Sequence, residues 1–279
     1  MDLENKSEVT SGDWADLEWT NWTQLHCDNP ALSDLPKTSG LYRVKHKDRE
    51  GLEYVGQTGR KLRERVRSLA NNTHKDEQPG NAPHTAAPHL WKLKEKIGEG
   101  FQVSVANPNI ARSEIDLYGL EYLLVALHIQ SQDTAPTVNL DRSHVLKSLE
   151  ERAAMHTELD SIDYSRQENV LDSRWMGLDW SQPDRLVNRL EVEPGTAVYR
   201  IWFENHAPPL AYIGQAKNIK QRLYKHEKKF GEDAKFSIAR VKDSRKTLEA
   251  LIIGKHYQTE NTLPKGQEGR RNKFELEFN

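Results

Sequence analysis

The stretch Gly40-Leu41-Tyr42-Arg43-Val44 is followed, twelve residues after Tyr42, by Tyr54-Val55-Gly56-Gln57. Late in the chain comes Ala197-Val198-Tyr199-Arg200-Ile201, with Tyr212-Ile213-Gly214-Gln215 thirteen residues after Tyr199. A rare pattern present twice, in the same order, constrains the chain to a duplicated domain. Downstream spacing agrees. Leu120-Glu121-Tyr122 and Leu248-Glu249-Ala250 each open an apolar segment, and Pro136 and Pro264 each lie fifteen residues after the glutamate. The length of 279 residues leaves room for two such units, each with its own core.

Within each unit the pattern reads as a hairpin, a basic helix, a third strand and an apolar helix. Leu41 to Lys45 alternates apolar and polar residues, as expected of a half-buried strand, and Leu52 to Val55 resumes a strand after a polar turn. Val198 to Phe203 and Leu210 to Ile213 make the second hairpin. Gly56 and Gly214 then permit a sharp turn into basic helices near 60–70 and 217–229, leaving backbone N–H groups open to a phosphate. Phe101 to Val105 and Phe236 to Ala239 supply the third strands. Trp19 and Trp180 precede the two Tyr phrases and are expected to pack in the core.

The copies differ in length. Tyr54 to Glu121 spans 67 residues and Tyr212 to Glu249 only 37. The surplus, about 71–100, carries His74, His84 and His89 and is expected to be a surface loop ending in a short helix. Its histidines match no zinc spacing. Residues 148–172 hold seven Asp or Glu against two Arg, as an exposed acidic helical linker would. The expected divisions are a disordered tail at 1–12, a first domain at 13–145, a linker at 146–172 and a second domain at 173–279.

Forty basic residues against 42 acidic ones give a formal net charge of -2, so any nucleic-acid face must be local. Two stretches qualify: one holding Arg60, Lys61, Arg63 and Arg67, the other holding Lys217, Lys220 and Lys225. No apolar run approaches the length of a membrane span, and the first residues do not read as a signal peptide. A single cysteine, Cys27, fits a reducing, cytoplasmic location, where the Asn21-Trp22-Thr23 sequon is chance.

The ordered set Gly-x-Tyr, Tyr-x-Gly, a helix arginine and a glutamate on an apolar helix resembles the GIY-YIG nuclease superfamily. The resemblance covers about 40–140 and 195–270. It implies an α+β fold: two tandem domains, each a small antiparallel three-stranded sheet flanked by helices. It also implies a metal-dependent endonuclease using Mg²⁺ or Mn²⁺ on duplex or branched DNA, restriction- or repair-like. As a single-chain pseudo-dimer it could cut both strands. In the first copy the resemblance assigns catalytic roles to Tyr42, Tyr54, Arg65, Glu121 and Asn139; in the second, to Tyr199, Tyr212, Arg222, His226 and Glu249. Glu121 and Glu249 would hold the metal.

The copies also depart from the pattern. Leu69 stands where the first copy should carry the helix histidine, with His74 or His84 as substitutes. Ala197 replaces the first glycine, and Gln267 replaces the asparagine, in the second copy. These departures and the modest charge motivate the competing reading, a catalytically degenerate DNA-binding or scaffold protein.

Overall fold

The computed structural model describes residues 8–80, 84–108, 114–140, 159–204, 210–242 and 244–270. The chain divides into two compact units, Met1–Arg152 and Ala153–Asn279. In the first, the elements run β1 (Thr23–Gln24), β2 (Gly40–His46), β3 (Tyr54–Thr58), α1 (Leu62–Thr73), α2 (Ala87–Ile97), β4 (Phe101–Ala106) and α3 (Glu114–Gln132). In the second they run β5 (Asp184–Arg185), β6 (Ala197–Trp202), β7 (Tyr212–Ala216), α4 (Ile219–Phe230), β8 (Lys235–Arg240) and α5 (Arg245–Glu260). Among the described residues no helix is long and apolar enough to cross a membrane.

Each sheet is antiparallel and four-stranded, ordered β1-β4-β2-β3 and β5-β8-β6-β7. This corrects the three-stranded expectation. The extra strand is only two residues long in each unit, too short to carry any side-chain periodicity.

The central strand is not half-buried as its alternation implied. Tyr42 and Val44 join the core beneath α1 and α2, and Arg43, on the opposite face, is also buried. Arg43 donates to the carbonyls of Val9 and Ser11 at 2.7 and 2.6 Å and lies 4.3 Å over Trp19 and 4.7 Å over Trp22. Arg200 repeats this with the carbonyls of Val170, Leu171 and Asp172, lying 4.4 Å over Trp180. Trp19 and Trp180 also donate to the carbonyls of Trp14 and Trp175, at 3.0 and 2.9 Å. The tryptophans therefore do pack inside, as expected, around an arginine whose polarity had suggested solvent.

Two boundaries change accordingly. Residues 8–12 are not a tail, because Glu8–Thr10 forms a 3-10 turn and Val9 is fully buried. Residues 159–172 belong to the second unit rather than to a linker, since Leu159 and Val170 are buried and the 170–172 carbonyls hold Arg200. The rest of the expected acidic helix falls outside the described residues. The 71–100 insertion keeps an exposed loop at 75–78 and the expected helix, but α1 runs into it as far as Thr73, and Ala87, Leu90 and Leu93 of α2 are buried in the main core of the unit rather than on the surface.

Candidate functional site

Register explains the Tyr-x-Gly phrase. Tyr42 lies opposite Gly56, and Tyr199 opposite Gly214. Tyr54 and Tyr212 sit diagonally on the same face, with ring centroids 5.9 and 6.0 Å from their partners. Neither glycine makes a turn; both lie inside strands. A Cβ at Gly56 would come within 2.6 Å of Tyr54 Cε1 and 2.7 Å of Tyr42 Oη, and one at Gly214 within 2.6 Å of Tyr212 Cε1. Glycine is required so that the tyrosine ring can lie across the neighbouring strand.

The tyrosines carry a shared polar network. In the second unit Arg222 Nε donates to Tyr199 Oη at 3.0 Å, and Arg222 Nη2 reaches Tyr212 Oη at 3.4 Å. His226 Nε2 is 2.7 Å from Tyr199 Oη. Burial pushes the Tyr199 phenol upward. Burial, then the charge of Arg222, pulls the His226 imidazole down to about 3, so the ring is neutral.

The first unit assembles the same group from different parts. His84 Nε2 lies 2.7 Å from Tyr42 Oη, and its Nδ1 accepts from the Ala86 N–H at 3.2 Å. Arg65 hydrogen-bonds Tyr42, and the charge of Glu121 acts on both phenols. Burial pushes Tyr42 up to about 12, although Arg65 opposes it, and Tyr54 lies well above its ordinary range. His84, buried beside Arg65, is pulled down to about 3. Leu69 is an ordinary core residue, and His74 is engaged elsewhere, with Ala70 O and Glu99 at 2.9 Å each. His84 thus fills the place that the helix leaves vacant. Its sequence separation from Arg65 gave no spacing signal.

Asn139 makes a structural contact that its sequence position did not announce. Its side-chain amide accepts from the Val55 N–H at 2.8 Å and donates to the Val55 carbonyl at 2.7 Å, extending the ladder beyond β3. Gln267 does the same for Ile213, accepting from its N–H at 3.1 Å and donating to its carbonyl. Replacement of asparagine by glutamine is therefore not a lesion. Both amides clamp the strand that carries the second tyrosine. Ala197 is likewise accommodated, buried at the start of β6.

Glu249, five residues into α5, faces an open cleft of about 450 Å³ lined also by Tyr212, Lys217, Arg222, Lys225 and Arg245. Glu121 lies further along its helix than expected, seven residues beyond the start of α3. The basic residues divide. Lys217 and Lys225 line the cleft, whereas Lys220 borders an adjoining hollow with Arg189 and Tyr224. In the first unit Arg60 and Arg67 are exposed, Lys61 pairs with Glu64 at 2.9 Å, and Arg63 Nε is tied to the Leu35 carbonyl at 3.0 Å. The helix N-termini are not open to phosphate as expected. Leu62 and Arg63 N–H groups donate to Thr38 and Pro36 carbonyls, Ile219 N–H to Gly195, and Gln221 N–H to the Asn218 side chain.

No family model, no curated protein and no solved structure matches this chain. The functional reading rests on the residues and their arrangement.

Proposed function

We propose that the chain is a metal-dependent endonuclease hydrolysing DNA phosphodiester bonds, built as two tandem GIY-YIG-like domains. The observation that supports this most is the second unit's cleft, where Tyr212, Arg222 and Glu249 face one open space beside Lys217 and Lys225. Those groups meet the needs of phosphodiester hydrolysis: a proton acceptor, a charge clamp and a metal ligand.

Among the described residues Glu249 is the only acid lining that cleft. A lone carboxylate suits Mg²⁺ or Mn²⁺, which keep several waters and draw further ligands from phosphate oxygens. Glu121 would hold the ion in the first unit. When bound, the cation supplies Lewis-acid stabilisation of the transition-state charge and the leaving oxygen. Arg222 presents a permanently charged fork to the phosphate while tethered to both phenols. Tyr212 accepts the proton of the attacking water, with Arg222 Nη2 3.4 Å from its oxygen. Tyr199 and neutral His226 hold Arg222 in place. Arg65, Tyr54, Tyr42 and His84 take the corresponding parts in the first unit.

A second reading, in which only the second unit cuts, is favoured by one difference. Tyr54 is buried, with its phenol pushed well upward, whereas Tyr212 is partly exposed on the cleft wall. Incubation with plasmid in Mg²⁺, beside an EDTA control and a Glu249→Gln variant, tests the proposal. EDTA-sensitive nicking is expected. Its absence across supercoiled, linear and branched substrates would leave the degenerate DNA-binding or scaffold reading in its place.

A further inference from the structure

We infer that Arg245 forms a second phosphate-binding position in the second unit's cleft, taking a neighbouring phosphate of the nucleic-acid strand. The inference rests on the reading of that cleft as a phosphodiester site. Arg245 opens α5 one helical turn before Glu249, so both side chains occupy one face, and both line the cleft. Its Nε is buried and has no hydrogen-bond partner. No ion pair or hydrogen bond holds its guanidinium among the described residues, whereas Arg222 is tied to two phenols, Arg189 to Glu227, Arg200 to carbonyls and Arg240 to Glu193. A buried N–H without a partner is costly unless a ligand satisfies it.

The charge of the cleft wall points the same way. Lys217, Arg222, Lys225 and Arg245 face the single carboxylate of Glu249. One phosphodiester carries one negative charge, which leaves cations over even before a divalent ion is added. A strand that places two successive phosphates along the cleft balances the wall better, and a guanidinium is suited to grip the second. Among the described residues the first unit shows no matching arginine at this position. Leu117, one turn before Glu121 on α3, occupies the corresponding place and is buried.

The test uses the full-length protein in EDTA, so that binding is measured without cleavage. A short fluorescein-labelled duplex is titrated by anisotropy against wild type, Arg245→Gln and Arg245→Lys over a range of salt. Arg245→Gln is expected to raise Kd about tenfold and to reduce the slope of log K against log salt by about 0.9, the value for one lost phosphate contact. Arg245→Lys should restore the slope. Phenylglyoxal labelling, mapped by mass spectrometry, should modify Arg245 in the free protein and spare it when DNA is bound. Tight DNA binding with unchanged Kd and slope in Arg245→Gln would overturn the second position and leave the nuclease reading standing. Protection of Arg245 by pyrophosphate with no DNA binding by wild type would overturn the assignment to nucleic acid, and with it that reading. Arg245 makes no hydrogen bond or ion pair among the described residues, so loss of folding is not the expected outcome, and an unchanged circular dichroism melt verifies this.

Discussion

His84 Nε2 stands 2.7 Å from the Tyr42 hydroxyl, and it arrives there from the segment before α2, whereas its counterpart His226 comes from the basic helix. If position rather than origin matters, His84→Ala and His226→Ala should each slow cleavage by their own unit by roughly 10–100-fold, the scale expected when a catalytic group is misplaced. Strand-specific labelling of a cleaved duplex measures the two rates. Loss with His226→Ala but none with His84→Ala would show that the first unit does not use its network.

Each glutamate is expected to serve one strand. Glu121→Gln and Glu249→Gln should each convert supercoiled plasmid to nicked circles, and the double variant should leave it intact. Full linearisation by either single variant would rule out strand-dedicated sites.

Alanine at Gly56 or Gly214 would drive a methyl group into the tyrosine rings. A stability loss of about 1–3 kcal/mol is expected from overpacking at such a contact. Denaturant midpoints measure it, and unaltered midpoints would mean the rings can move aside.

Asn139 and Gln267 each clamp a strand by pairing with both backbone groups of Val55 or Ile213. Asn139→Ala and Gln267→Ala should each lower stability by roughly 1–3 kcal/mol through the Val55 or Ile213 groups left unpaired. Cleavage should fall along with it. A group acting only on substrate would lower turnover with the denaturation midpoint unmoved.

Acid should unfold the protein through its buried histidines. Burial holds His84 and His226 down at about 3, and His128 and His256 at about 4. The unfolded chain takes up protons below about 6.5 that the folded chain refuses. Stability is therefore fully present above pH 6.5 and is lost as pH falls toward 4, by about 1.4 kcal/mol per pH unit for each histidine. Urea midpoints at pH 7, 6 and 5 should decline, and a flat profile would contradict the assignment.

Much of this was legible in residue order. The hairpins, the basic helices and the third strands stand where the residue pattern put them, although the two glycines lie inside strands rather than at turns, and the tyrosines, arginines and glutamates do converge. What escaped has physical causes. The choice between His74 and His84 was one such gap, because His84 reaches Tyr42 through a fold of the insertion that has no spacing rule. Arg43 looks like a surface residue because its partners are backbone carbonyls and indole faces, which no composition displays. Gln267 looked like a loss because an amide's chemistry survives lengthening by one methylene when the backbone supplies the difference. Arg245 passed unremarked because it carries meaning only once the cleft exists.

The arginine hooks also determine where the chain can be divided. Arg200 is satisfied by the carbonyls of residues 170–172, and Arg43 by those of Val9 and Ser11. A fragment starting at residue 173 would retain a guanidinium in the sheet interior and discard the groups that neutralise its hydrogen-bonding demand. A fragment starting before Leu159 keeps them. Each half therefore behaves as a unit closed by its own leading segment, and a cut at the wrong side of that segment would destroy an independent domain while appearing to isolate one.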